Sequence, residues 1–422
     1  MNTFNSACEF QEMQKAIIEH EVDLPTPFYL YDSRIINARY HALRSALPQE
    51  IDIVYSVKAN PNISIVRHLY ALGCGIEIAS DGELLAALEV GVAPEKIVFA
   101  GPAKTDSELQ LAVAHGIRAV NVESRGELLR LETICEKLGK PIHAHIRVNT
   151  LFEITDSAVQ MSGGARKFGI DEEELSALMP LLRSLRFVRI DGFHVFSATQ
   201  VLDAAVYERY LSHCAELVER FAAQMPRVPC SIDIGSGLGI PYGENEQAID
   251  LSVFGEHASE FITRLKRIDP AIRCIFETGR FLVGEAGMYV TEVTDVKVSR
   301  GKTFVLCDGG INHCVRPALI GCVHPIAVLQ TDTCEKVPVT VGGPLCTSLD
   351  VFAEDMLLPP VTSGDRVAVL NTGAYGYTES MPYFLSHRMP DEYCIDKDGI
   401  IRKIRQGRTV RDIINEQKCI SL

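Results

Sequence analysis

Val54-Tyr55-Ser56-Val57-Lys58-Ala59-Asn60-Pro61-Asn62 joins an apolar, β-branched run to a turn. The run Ile51–Val57 suits a buried strand, and Asn60-Pro61-Asn62 ends it. Lys58 therefore stands at the carboxyl end of that strand. A lysine there is either a surface residue reaching into solvent or a buried amine whose lowered pKa suits Schiff-base chemistry. The surrounding chain decides between the two.

Working outward, strand-like and helix-like segments alternate. A short strand is expected over Asp23–Asp32, followed by a charged helix from about Ser33. Further strands are expected to end near Val57, Ala79, Gly101, Glu123, Asn149, Phe196, Gly235 and Gly279. Helical patterns lie between them at Ile63–Leu72, Asp81–Val90, Asp106–His115, Glu127–Leu138, Asp171–Leu185, Asp203–Gln224 and Asp250–Ile268, several opening on an Asp or Ser at the N-cap position. About eight strands alternating with helices predict an α/β architecture, a (β/α)8 barrel. After Gly279 the period changes. Met288–Val298, Thr303–Cys307, Val337–Val341, Arg366–Leu370 and Tyr393–Arg405 read as strands joined by turns. The expected organisation is a barrel over 34–283 and an all-β domain over 284–422, completed by a strand from 1–33. Gln160–Lys167 (QMSGGARK) reads as an active-site loop after the fifth barrel strand.

Composition narrows the function classes. The 422 residues are 47% hydrophobic and carry a net charge of −14, which argues against nucleic acid or an anionic membrane as partner. No basic start followed by an apolar run opens Met1–His20, so no signal peptide is expected, and no stretch is apolar enough to span a bilayer. The 13 cysteines are scattered without a CxxC pair, which favours reduced thiols in a cytoplasm over zinc or disulfides. His143 and His145 could share one side of a strand, but two histidines are too few for a closed metal site, and no metal is expected.

In a barrel of this kind the chemistry gathers at the carboxyl ends of the strands. Lys58, Arg147, His194 and Ser197 fall there, as do Gly235-Ser236-Gly237-Leu238-Gly239 and Glu277-Thr278-Gly279-Arg280. Glycines after the seventh and eighth strands let backbone N–H groups approach a phosphate. Each feature has a plainer explanation: ordinary turns, a satisfied core histidine, a structural ion pair. The GxGxG run is also not the dinucleotide fingerprint. Together, a lysine, a phosphate cradle, an imidazole and a buried carboxylate describe a pyridoxal phosphate site.

YSVKANPN around Lys58, IEIASDGEL (Ile76–Leu84), DIGSGLG (Asp233–Gly239), ETGR (Glu277–Arg280), GPLCTSLD (Gly343–Asp350) and GAYG (Gly373–Gly376) carry a resemblance. The chain resembles, nearly end to end, the fold type III pyridoxal phosphate decarboxylases, the alanine racemase-like group of ornithine and diaminopimelate decarboxylases. The resemblance implies that Lys58 links covalently to the cofactor, that His194 stacks on its ring, and that Glu277 pairs with the ring nitrogen. It implies that Ser197, Gly235, Gly237, Gly279, Arg280 and Tyr375 hold the phosphate. Cys346 is implied as the acid that reprotonates Cα, reaching the site from the neighbouring subunit of a homodimer with shared active sites. The alternative for Cys346 is a small buried hydrophobe. The racemases of this fold have a tyrosine for the second acid, so the GPxC cysteine favours a decarboxylase.

Substrate recognition departs from the best-known members. Diaminopimelate decarboxylases hold the distal end of their substrate with RPxxY and CES motifs, whereas here Ile320 replaces the tyrosine and Thr347 the glutamate. MSGGARKFGI (Met161–Ile170), HVFSATQ (His194–Gln200), CDGGINH (Cys307–His313) and GPLCT resemble a branch acting in siderophore and antibiotic biosynthesis, such as the butirosin-pathway and staphyloferrin B decarboxylases. This implies an L-amino acid that is citryl-linked or tethered to a carrier protein. Arg280 and Arg316 are expected near a carboxylate of such an extension. Asp350 could bind a distal amine, as its counterpart does in ornithine decarboxylases, but it also occurs in members whose substrates lack one and so does not decide the substrate. The alternatives are a diaminopimelate or basic amino-acid (ornithine or lysine) decarboxylase, and a non-catalytic regulatory homologue.

Overall fold

The computed structural model describes residues 11, 13–17, 24–152, 162–243, 245–330 and 335–420. Asp23, most of residues 1–20, and Gln160 and Met161 of the expected loop lie outside them. The chain divides into two compact units, one of residues 39–240 and 247–281, the other of residues 1–38, 241–246 and 282–422.

Among the described residues of the first unit, eight parallel strands close a barrel. They are β2 (Ile51–Ser56), β3 (Gly75–Ile78), β4 (Ile97–Phe99), β5 (Ala119–Val122), β6 (Ile142–Asn149), β7 (Val188–Val195), β8 (Ser231–Gly235) and β9 (Arg273–Thr278); β1 (Phe28–Asp32) belongs to the other unit. Each pairs with its successor, and β9 returns to β2 with Glu277 opposite Val54. Every strand ends within two residues of its expected position. The strands are apolar because the barrel interior and the helix layer cover both faces. Val54, Val98 and Ile275 are 0% exposed and pack together, each contributing on the order of 1.5–3 kcal/mol by burial.

The helices follow N-caps written in the sequence. Ser80, Thr105, Ser124, Asp203 and Asp250 each accept backbone N–H groups of the helix they open. Asp171 opens no α-helix: a single 3-10 turn, Glu172–Glu174, precedes the helix Leu175–Ser184. Glu172 instead ties this corner, accepting from Leu151 N at 3.1 Å and pairing with His213 and Arg220. Burial works against its charge, yet the hydrogen bonds from His213, Arg220 and Leu151 prevail and hold its pKa at about 2. A depressed carboxyl stabilises the fold above the ordinary carboxylate range, and that contribution disappears as pH falls toward 2. Glu172→Gln is therefore expected to lower the urea midpoint at pH 7 and to leave it nearly unchanged at pH 2. An equal loss at both would refute the linkage.

The second unit is a sheet built around β1 (Phe28–Asp32), which is paired to the long β10 (Gly287–Ser299) on one side and β16 (Asp391–Ile395) on the other. The remaining strands are β11 (Lys302–Cys307), β12 (Ile326–Val328), β13 (Val337–Gly342), β14 (Val351–Leu358), β15 (Arg366–Val369) and β17 (Ile401–Arg405). The run Tyr393–Arg405, expected as one strand, is a hairpin of β16 and β17. Its turn is closed by Gly399 N donating to Asp396 O at 3.0 Å.

Candidate active site

The barrel unit gathers eight of the expected residues at strand ends. Lys58 lies in a single 3-10 turn, Val57–Ala59, immediately after β2. It is not the buried amine considered from sequence: its side chain is 35% exposed, and Nζ donates to both carboxylate oxygens of Glu77 at 2.8 and 2.9 Å. Glu77, at the end of β3, is fully buried. Burial raises its pKa to about 7, against the opposing charge of Lys58. The Lys58 ammonium also lies 5.8 Å from the centre of the Phe196 ring.

His194 is 1% exposed, with Nε2 at 3.5 Å from Glu277 Oε2. Polar atoms of His194, Asp233 and Glu277 all lie within 4.8 Å of one another. Burial opposes the charge on Glu277, but His194, Lys58 and a hydrogen bond with Asp233 outweigh it and hold the pKa at about 2. Asp233 moves the other way. Burial, and then the charge of Glu277, push it well above the usual range, so the pair holds one carboxylate and one neutral acid.

The glycine loop after β8 is zipped to the loop after β7. Val201 N donates to Gly237 O and Gly239 N to Val201 O, both at 3.0 Å. Gly237 has φ +61, and a Cβ there would sit 2.0 Å from Ala198 O, so only glycine permits the approach. Ser197 lies on the β7 side of this zipper, Gly235 begins its β8 side, and Gly279 and the buried Arg280 follow β9. Ser197 Oγ, Thr278 Oγ1 and His194 Nδ1 are buried and have no hydrogen-bond partner among the described residues. Native folds rarely leave such groups unsatisfied. These groups, with a lysine amine and a buried carboxylate beside them, fit a polar, phosphate-bearing cofactor with a basic ring nitrogen.

The other four expected residues, Arg316, Cys346, Asp350 and Tyr375, belong to the β unit. Cys346 is exposed, on the turn between β13 and β14. Two expectations change here. Asp350 is a brace, not an open amine receptor: Oδ1 accepts from Ile311 N at 2.8 Å and Oδ2 from Leu345 N at 2.7 Å. Gly310 and Gly343 make room for it, since a Cβ on either would lie within 2.5 Å of its carboxylate. Asp350→Ala is expected to cost about 2–4 kcal/mol in urea unfolding, because two buried N–H groups lose a carboxylate acceptor. A loss below about 0.5 kcal/mol would contradict the bracing role. Arg316 already has a carboxylate partner within its own unit. Its side chain is 8% exposed, pairs with Glu379 at 3.3 Å, and lies 5.4 Å from the Tyr375 ring centre.

Asn121, Glu77 and Asp233 were not singled out from the sequence. Glu77 and Asp233 stand inside the quoted IEIASDGEL and DIGSGLG motifs, an acidic residue among apolar strand neighbours being the available signal. His143 and His145 differ in setting: His143 is exposed, with Nδ1 2.8 Å from Asp191 Oδ2, and His145 is buried.

A closed parallel barrel with this lysine, acid pair and glycine zipper at its strand ends defines a cofactor-dependent enzyme of the alanine racemase-like fold. Residues 33–284 match the family described as pyridoxal-dependent decarboxylase, pyridoxal binding domain, and the chain belongs to that family. It is 36% identical over 401 residues, 93% of this chain and 94% of the relative, to the L-glutamyl-[BtrI acyl-carrier protein] decarboxylase of Niallia circulans. It is 30% identical to the 2-[(L-alanin-3-ylcarbamoyl)methyl]-2-hydroxybutanedioate decarboxylase of Staphylococcus aureus, covering 87% of this chain and 93% of that one. The diaminopimelate decarboxylase of Helicobacter pylori, solved with L-lysine, superposes with a TM-score of 0.87 at 31% identity, covering 94% of this chain and 98% of that one. The chain is accordingly a pyridoxal phosphate-dependent carboxy-lyase acting on an amino acid. No helix among the described residues is long and apolar enough to cross a membrane.

Proposed function

We propose that the protein decarboxylates an L-amino acid whose distal end is joined through an acyl or amide link to a larger group, in siderophore or antibiotic biosynthesis. The observation that carries this reading is the pair of replacements at Ile320 and Thr347. Ile320 offers no polar group and is 38% exposed, and the Thr347 hydroxyl accepts from Leu349 N in its own turn at 3.3 Å. Neither supplies the distal contacts of a diaminopimelate decarboxylase. The names of two relatives support the reading, one a glutamyl group on a carrier protein and the other a carbamoyl-linked amino acid. Arg316 paired to Glu379 offers a donor beside an acceptor with little net charge, which suits a neutral acyl junction. The same pair also complements a distal ammonium and carboxylate, and this favours diaminopimelate as the second reading.

When bound, pyridoxal phosphate supplies a sink for the electron pair left on Cα as CO2 departs. Each of the chain's own groups has a task there. Glu77 takes a proton from the Lys58 ammonium and frees a nucleophilic amine. Glu277, ionised beside neutral Asp233, would hold a proton on the ring nitrogen, and His194 would pack against the ring. Ser197, the Gly235–Gly237 loop, Gly279 and Arg280 would bind the phosphate. The Cys346 thiol of a second copy returns a proton to Cα, so the working form is a homodimer. The reading places the enzyme in the cytoplasm, where the buried thiols Cys74, Cys135, Cys214 and Cys274 stay reduced.

A substrate panel tests this. Carrier-tethered or citryl-linked amino acids are expected to show kcat/KM at least ~100-fold above free ornithine, lysine and diaminopimelate, about 2.7 kcal/mol of transition-state discrimination. Arg316→Met should remove most of that preference. Rapid turnover of free diaminopimelate, with no gain from conjugation, would establish the second reading instead.

A further inference from the structure

A line of buried polar side chains crosses the barrel interior and ends on Glu277. Ser231 Oγ lies 2.7 Å from His145 Nε2, and His145 Nδ1 lies 3.1 Å from Asn121 Oδ1. Asn121 Nδ2 then donates to Asp233 Oδ2 at 2.8 Å and to Glu277 Oε1 at 3.3 Å. None of the five is more than 9% exposed. Hydrogen-bond chemistry gives the line a direction. The ionised carboxylate of Glu277 can only accept, so the amide nitrogen of Asn121 faces the acid pair and its oxygen faces His145. That oxygen needs a donor, so His145 carries its proton on Nδ1. Burial lowers the pKa of His145 to about 3, so the ring is neutral and Nε2 must accept from the Ser231 hydroxyl. The backbone of Asn121 is held as well, its carbonyl accepting from the buried Lys104 ammonium at 2.7 Å.

Asn121, His145 and Ser231 thus each have one allowed orientation, which is what an oriented carboxylate requires of its surroundings. We propose that Asn121, oriented by His145 and Ser231, is a positioning residue that keeps Glu277 aimed at the ring nitrogen of the cofactor. The proposal rests on the pairing of Glu277 with that nitrogen given above. The Asn121 donor on Oε1 restrains rotation of the Glu277 carboxylate and keeps Oε2 on the side of His194.

The test uses holoenzyme reconstituted with ring-15N pyridoxal phosphate. In wild-type protein at pH 8 the ring nitrogen should give the protonated chemical shift. In Asn121→Leu it should move toward the unprotonated position, with kcat at least tenfold lower and KM changed by less than threefold. Circular dichroism and the thermal midpoint establish that the variant is folded. An unprotonated ring in the wild type would defeat the pairing with Glu277 itself. A protonated ring that stays unchanged in folded Asn121→Leu would overturn the positioning role alone. If Asn121→Leu does not fold, His145→Leu is read by the same outcomes. Histidine-15N spectra of the wild type decide independently: His145 should show the Nδ1–H tautomer down to about pH 5, and an Nε2–H tautomer would overturn the proposal.

Discussion

Lys58→Ala is expected to lose at least about 1000-fold in kcat and to lose the visible absorbance of covalently held cofactor. The size of the effect follows from the position. Lys58 is the amine seated between Glu77 and the Phe196 ring, and alanine cannot form a covalent link to an aldehyde. The phosphate contacts proposed for Ser197, the Gly235–Gly237 loop and Arg280 do not involve Lys58, so pyridoxal phosphate should still bind the variant noncovalently. Equilibrium dialysis would measure that residual binding. A variant that retained both turnover and the visible band would remove Lys58 from the mechanism. Glu77→Gln should be milder, because it leaves the amine and removes only the group that takes its proton.

The second large effect concerns Cys346. Cys346→Ala alone should abolish most product formation, since no other thiol shares its turn between β13 and β14. Mixing Cys346→Ala with Lys58→Ala, each inactive, should then restore activity, because a mixed dimer contains one site with both residues intact and one with neither. At full statistical exchange half of the dimers are mixed and each has one competent site, so about a quarter of the wild-type rate is expected. Subunit exchange can be followed separately with differently tagged copies. If exchange is complete and no rate returns, Lys58 and Cys346 act within a single chain and the shared site is refuted.

Much of this architecture was legible in the sequence because barrel strands are short, apolar and bounded by strong caps. Lys58 and Glu277 could be found because an ionisable residue at the end of an apolar run is conspicuous. Other features were hidden for physical reasons. β14 was missed because Asp355 takes a left-handed φ of 50° and the pairing with β13 slips twice, which spoils the period-two pattern. β12 has only three residues, too few to show a pattern. His145 finds its partners Asn121 and Ser231 on two neighbouring strands, which its own stretch of sequence does not reveal. Asp350 looked like a receptor for an amine, because nothing in its motif reveals that Ile311 and Leu345 already donate to both oxygens. Asn121 lies in a four-residue strand, and its contacts come from β6, β8 and β9. Only closure of the barrel brings those strands together.

Lys58 is the proposed point of cofactor attachment, and peptide mapping after borohydride reduction tests this most directly. The wild-type protein, loaded with pyridoxal phosphate and reduced, is digested and the modified peptide is sequenced by mass spectrometry. One stable adduct is expected, on Lys58 within the peptide that contains YSVKANPN. An adduct on any other lysine, or none on a protein that still decarboxylates its substrate, would contradict it.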